Sequence, residues 1–331
     1  MKYQFSFYNP ADYPELKELV LASYRWDPAP SFGLSRLEFS AGLHPGFTGH
    51  RHAWEQSIGL YRHNGAIVAA ICNEGVHSGE TFFFFDSPQR AEDAELVQEM
   101  IRFAKTYGAG VKSDGRTRYV DLHIPPWNWT LADMANSTGF SKNDWGCRSL
   151  VLPFDVIPPS DLQKPPQLPP GYSFADGRNT TAADLALVHR HSFGYQGDSH
   201  ACKFGGQAFE DLRRMAHYRP DLDICILDEY RRPVAMATIW YDSRLPYCEL
   251  EPMGVTWWNR RRGLGSALIR EASRRVLALD PRCRGMLGGD QAFYSSLGFA
   301  CAQETPTYHW ELEVIISWEA ESLNQDYASR I

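Results

Sequence analysis

Two stretches carry apolar residues at the period of an α-helix. Over 263–279, Leu264, Leu268, Ala272, Val276 and Leu279 recur on one face, and 91–107 reads the same way. Shorter helical patterns follow Asp12 and Asp184, each placed to cap a helix N-terminus by accepting from free backbone N–H groups. Segments 57–73 and 223–241 each read as two apolar strands around a short polar turn. Phe82–Phe85 has the look of a strand buried on both faces. Later come a Gly139-Phe140 step and a Gly298-Phe299 step, followed by strands over 149–154 and 308–314.

These elements occur in the same order twice. Ala11 corresponds to Ala183, Val68 to Val234 and Gly139 to Gly298, as in a diverged duplication with small insertions. Between the copies lies a proline-rich bridge from Pro153 to Pro170, which cannot sustain a helix or an interior strand and suits a semi-rigid linker. The predicted organisation is a domain at 1–152, a linker at 153–170 and a second domain at 171–331. Strands alternating with helices predict the α/β (α+β) class, with a mixed sheet in each half.

Composition narrows the chemistry. The chain has 331 residues and a net charge of −7, which opposes a general affinity for nucleic acid or an anionic membrane. No apolar run approaches the ~18 residues of a membrane span. The N-terminus lacks the succession of a signal peptide. Seven cysteines without a C-x-x-C pair read as free thiols, so a cytoplasmic location is expected, without disulfides or structural zinc. His189, His191 and His200 lie close to Asp198, but with no H-E-x-x-H motif and no cysteine partner at ligand spacing no metal is expected.

The most informative stretch is 249–279. A strand ending at Val255 leads into a loop holding Arg260, Arg261, Arg262, Gly263, Leu264 and Gly265, and then into the long helix. Glycines let main-chain N–H groups turn toward an anion, and the helix start aims its free N–H groups and dipole at the same point. The pattern is a main-chain cradle for a pyrophosphate. It is neither a Walker loop nor a dinucleotide fingerprint, since both of those spacings are absent. The turn after Phe85 in the first half has no glycine, and Asp86, Glu92 and Asp93 stand where a phosphate would go. Those acids would repel it, so the first half is expected to have the fold without the cofactor and to wall the substrate cleft.

Arg260, Gly263 and Gly265 match Gln/Arg-x-x-Gly-x-Gly/Ala, motif A of the GNAT N-acetyltransferase superfamily. Tyr294, a few residues before Gly298-Phe299, matches a later motif of that superfamily. The chain thus resembles a tandem GNAT protein with a degenerate N-terminal half, of mycothiol-synthase-like organisation, most specifically over 171–315. The resemblance implies acetyl-CoA, or another acyl-CoA, held by Met253, Gly254, Val255, Arg260, Arg261, Arg262, Gly263, Leu264, Gly265 and Ser266. It implies that the pantetheine arm pairs with the splayed strand at Met253–Val255. It also implies acyl transfer to an amine within a ternary complex. Tyr294 is the candidate acid toward the departing thiolate. Glu249 and Glu251, both on the strand, are alternative bases, and period two places them on one face with Met253 and Val255. Where many members carry an Asn, this sequence has Asp290, an expected helix cap.

Around the acceptor, Tyr195, Asp198 and His200 are candidate pocket residues, and a small-molecule amine is the expected acceptor. Trp257 and Trp258 are expected to pack at the strand end. Apart from Cys248 beside the strand start, the cysteines lie outside the motifs, so no acyl-accepting nucleophile is expected. The tail after Val314 reads as a short amphipathic helix that packs on the other half or mediates a dimer, leaving monomer and homodimer both open. The rival function is acyl-CoA binding without catalysis, as a sensor or assembly partner.

Overall fold

A computed structural model describes residues 2–46, 51–75, 79–195 and 199–313. The predicted tail helix after Val314 lies outside the described residues. Among those described, thirteen strands build one mixed sheet. They are β1 (Gln4–Phe7), β2 (Gly59–His63), β3 (Ala66–Cys72), β4 (Glu80–Phe85), β5 (Gly110–Val111), β6 (Thr117–His123), β7 (Ser141–Pro153), β8 (Ser173–Asp176), β9 (Asp223–Leu227), β10 (Pro233–Trp240), β11 (Cys248–Val255), β12 (Gly285–Gly288) and β13 (Ala300–Glu313). Their spatial order is β1-β2-β3-β4-β6-β13-β7-β12-β11-β10-β9-β8, with β5 on β6.

The centre of this sheet is a reciprocal strand exchange. β7, the last strand of the first half, pairs with β12 of the second through Leu150–Pro153. β13, the last strand of the second half, pairs with β6 of the first from Thr307 to Glu313. β7 and β13 run antiparallel to each other between them. The sequence showed only the apolar ends of these two strands. Their full lengths include exposed polar residues that alternate too weakly to read as strand, and hydrogen bonding to a partner far along the chain supplies the rest.

Local chemistry accounts for several elements. Asn64 and Gly65 both have positive φ (51° and 85°), which makes the two-residue turn whose twist matches the β2–β3 hairpin. Helix Leu264–Leu279 buries Leu264, Leu268, Ile269, Ala272 and Val276 against the second-half strands. Each large aliphatic side chain buried there is worth roughly 1.5–3 kcal/mol. The predicted caps differ from those observed. Thr181, not Asp184, caps the helix Ala182–Phe193, and Asp184 closes a capping box from its third position. Asp12 makes no side-chain cap for Tyr13–Ser23 and is paired with Arg62 instead. The helix expected over 91–107 is broken into a turn at Pro88–Ala91 and a helix at Ala94–Tyr107, because the Asp93 side chain caps the second at Leu96 N. No helix among the described residues is long and apolar enough to cross a membrane.

Candidate active site

The strands themselves open the site. β11 and β12 are parallel partners only at Cys248–Met286 and Glu249–Leu287, after which they diverge. The backbone of β11 from Glu251 to Val255 therefore keeps one edge unpaired, ready to accept an extended ligand as an added strand. A register shift against β10 falls at the same place, between Leu250 and Met253. This bulge overturns the simple period-two expectation. Leu250 and Met253, three residues apart, both face the core under helix 264–279, whereas Glu249 points to the opposite face.

Beyond β11, the loop 256–263 enters helix 264–279. Arg261 and Gly263 both have left-handed backbones (φ 62° and 77°), and no side chain caps the helix. The amides of Leu264, Gly265 and Ser266 thus have no intrahelical acceptor. Gly263 has open space where a Cβ would stand, and a Cβ on Gly265 would lie 2.9 Å from Phe293 Cζ. This is a cradle that side chains would fill, and it fits a pyrophosphate. The arginines are not simply a positive patch. Arg260 donates to the carbonyls of Val255 and Ser192 at 3.2 and 2.6 Å, and Arg262 donates to Tyr172 at 2.9 Å. Both tie the loop in place while keeping their charge beside it. Trp257 and Trp258, expected to pack, are 62% and 44% exposed, since the short helical turn Trp257–Asn259 carries them over the loop.

The equivalent turn of the first half has no such opening. Asp93 occupies the helix start, accepting from Leu96 N, Tyr3 and Lys2, and Asp86 pairs with Arg90.

The two strand glutamates have different surroundings. Glu249 is 2% exposed. Its carboxylate accepts from the Tyr24 hydroxyl and from Ser35 N at 2.6 Å, at the start of helix Leu34–Gly46. It serves as an N-terminal cap supplied from the other half. A Cβ on Gly33 would lie within 3 Å of both Glu249 oxygens, so glycine is what lets them approach. Burial pushes the Glu249 pKa up to about 7 against the pull of the Ser35 and Leu34 amides. Glu251 is half-buried and lines the cleft, within electrostatic reach of Arg36, Glu74 and the Tyr294 hydroxyl. Burial raises it also to about 7, with Arg36 opposing and Glu74 assisting. Tyr294 stands on the short helix Ala292–Ser295, wedged edge-on between Phe293 and Phe299, with its hydroxyl 4.0 Å from Met253 Sδ. Burial and the Glu251 charge raise its pKa, which keeps the phenol protonated.

Glu249, Glu251, Tyr294, the β11 edge and the 263–266 turn line one cleft of about 1290 Å³, and Arg262 lies outside its lining. The first half contributes its wall, through Pro30–Arg36 and Cys147–Ser149. No motif marked those residues, because their role comes from the strand exchange and from helix 34–46 meeting β11. Of the acceptor candidates, Tyr195 is exposed, stacks on Phe193 and meets His189 at a tilt, and is not part of the cleft lining. Asp198 lies outside the described residues, as does the side chain of His200. Asp290, the expected cap, lines the cleft, while Gln291 takes the cap position without a side-chain bond.

No family model matches the sequence, and no curated protein matches it. Solved structures do. A GCN5-related N-acetyltransferase from Sphaerobacter thermophilus superposes with a TM-score of 0.54 at 13% identity, covering 96% of this chain and 98% of its own. A tandem GNAT protein from the clavulanic acid biosynthesis pathway gives 0.58 at 15% identity, covering 93% and 98%. At these identities the likeness establishes the fold, a tandem GNAT architecture spanning both halves.

Proposed function

We propose that the chain is an acyl-CoA-dependent N-acyltransferase whose second half carries the chemistry, transferring an acetyl group to the primary amine of a small molecule by direct attack in a ternary complex. The observation that carries this reading is the convergence on one cleft of the unpaired β11 edge, the uncapped helix start, Glu251 and Tyr294.

The amides of 263–266 and the loop arginines would hold the pyrophosphate, and the β11 edge at Met253–Val255 the pantetheine. Bound there, acetyl-CoA supplies an activated acyl thioester. Glu251 takes the amine proton, directly or through water. A free alkylammonium has a pKa near ~10.4, so its deprotonation needs such a base. The β11 amides that face the cleft polarise the acyl oxygen as its charge develops. Tyr294 gives its proton to the departing sulfur. Glu249 positions the first half and is not placed as the base, because its oxygens are already engaged. The cleft is walled by both halves, which supports an acceptor that enters it as a compact molecule.

The test is calorimetric titration with CoA, followed by a released-thiol assay with acetyl-CoA and a panel of small amines. Micromolar CoA binding with thiol release that Tyr294→Phe slows about tenfold or more is expected. Tight binding with no turnover on any amine favours the non-catalytic sensor, and an absence of CoA binding overturns both readings.

A further inference from the structure

The base of the proposed reaction stands in the second half, but a cation that bears on it comes from the first. Ser35 N donates to Glu249 at 2.6 Å, which pins the start of helix Leu34–Gly46 against β11. The next residue on that helix is Arg36, and Glu251 lies two residues beyond Glu249 on the strand. The contact between Ser35 and Glu249 therefore brings Arg36 and Glu251 to the same cleft, whose wall they share. Arg36 is held there by Glu74. Its Nη1 donates to Glu74 Oε2 at 2.8 Å, and the Ser40 hydroxyl, one turn along the helix, donates to the Glu74 carbonyl at 3.1 Å. Positions 36 and 40 share a helix face, so one turn of helix fixes both ends of Glu74. The other ionisable groups near Arg36 are Glu80, Cys147 and His123. Burial favours the neutral form of each of these three. Near Glu251 stand Arg36, Glu74, Glu249 and the Tyr294 phenol. Burial favours the neutral acid at Glu251, Arg36 favours the carboxylate, and Glu74 opposes Arg36. A half-buried carboxyl that has lost its cation takes up a proton, and a protonated acid cannot serve as a base.

We propose that Arg36 is a positioning residue for this reaction: its cation, held at the cleft wall by Glu74, keeps Glu251 in the carboxylate form that accepts the amine proton. The proposal rests on the acyltransferase reading above for the use made of Glu251, while the coupling of the two charges rests on the fold. The first half, which lacks a phosphate cradle of its own, thereby completes the catalytic centre of the second electrostatically as well as walling it. Arg36 and Glu74 act in opposite senses. Loss of the arginine raises the pH at which Glu251 ionises, and loss of the Glu74 charge lowers it.

The test follows the Glu251 carboxyl directly and the reaction separately. Full-length protein labelled with ¹³C at glutamate Cδ is titrated by NMR from pH 5 to 9, with the Glu251 signal assigned by its loss in Glu251→Gln. The titration is repeated for Arg36→Met, Arg36→Lys and Glu74→Gln, alongside CoA calorimetry and pH profiles of kcat/KM. In Arg36→Met the Glu251 midpoint is expected to rise by about one pH unit, with kcat/KM at pH 6 falling about tenfold. Arg36→Lys keeps the charge and should keep the midpoint, and Glu74→Gln should lower it. A residue that only shaped the cleft would depress kcat/KM at every pH and leave the midpoint in place. An unmoved midpoint in Arg36→Met that still binds CoA overturns the proposal and leaves the acyltransferase standing. If Arg36→Met does not fold, a midpoint in Glu74→Gln that fails to fall overturns it instead. The expected movements in a protein that turns over no amine uphold the coupling of Arg36 to Glu251 and overturn the acyltransferase.

Discussion

At the residue scale, the two glutamates of β11 separate into a cleft carboxyl, the base of the proposed reaction, and a structural cap. Glu251→Gln is expected to lower kcat by about 10²–10³-fold with little change in melting temperature, since its carboxylate lies on the cleft. Because its pKa is raised to about 7 and the base must be ionised, wild-type kcat/KM should rise with pH through that value, and a stopped assay across pH 5–9 checks this. Glu249 acts on stability. Its folded pKa near 7 exceeds the ordinary value of 4.5, so the folded state binds its proton more tightly. The stabilisation is therefore complete below about pH 4 and is lost as pH rises through 7, a change of roughly 3 kcal/mol. Urea denaturation at pH 5 and pH 8 should show Glu249→Gln shrinking the difference between the two. An unchanged difference would sink the assignment of this titration to Glu249. The sequence could name both glutamates but could not rank them. The groups that engage Glu249, Tyr24 and Ser35, come from more than 200 residues earlier.

Among elements, the loop into helix 264–279 was the most legible, because its chemistry is local. Glycine at 263 is demanded by a left-handed backbone, and glycine at 265 by a neighbouring ring. Gly263→Ala is expected to cost about 1–2 kcal/mol in stability, read by thermal denaturation. Gly265→Val drives a side chain against Phe293 and the cradle. CoA affinity should fall at least tenfold, about 1.4 kcal/mol, while the circular dichroism spectrum is kept. Retained affinity would show that the diphosphate does not use this turn. The helix caps were read less well. Thr181 and Asp93 compete with neighbouring acidic residues for the same role, and only backbone geometry decides which side chain reaches the amides.

On the scale of the whole molecule, the duplication visible in the sequence did not reveal that the halves trade strands. β13 contributes hydrogen bonds to β6 and β7 at once, so its loss removes the centre of the sheet rather than one edge. A chain ending at residue 299 is expected to fail to fold in either half. The full chain should melt in a single transition by differential scanning calorimetry. Two separated transitions, or a truncated chain with native-like amide dispersion, would contradict that coupling.

The sequence by itself determined the repeated α/β order, the glycine-bearing turn that opens the long helix of the second half and the glycine-free, acidic turn of the first. Each of these rests on backbone conformation and charge within a few consecutive residues. The tertiary structure alone decided that Glu249 is a cap and Glu251 faces the cleft, that the first half walls the site through 30–36 and 147–149, and that Arg36 stands within electrostatic reach of Glu251. Those outcomes depend on which distant strands share hydrogen bonds, and pairing across such separations leaves no periodic trace in the chain.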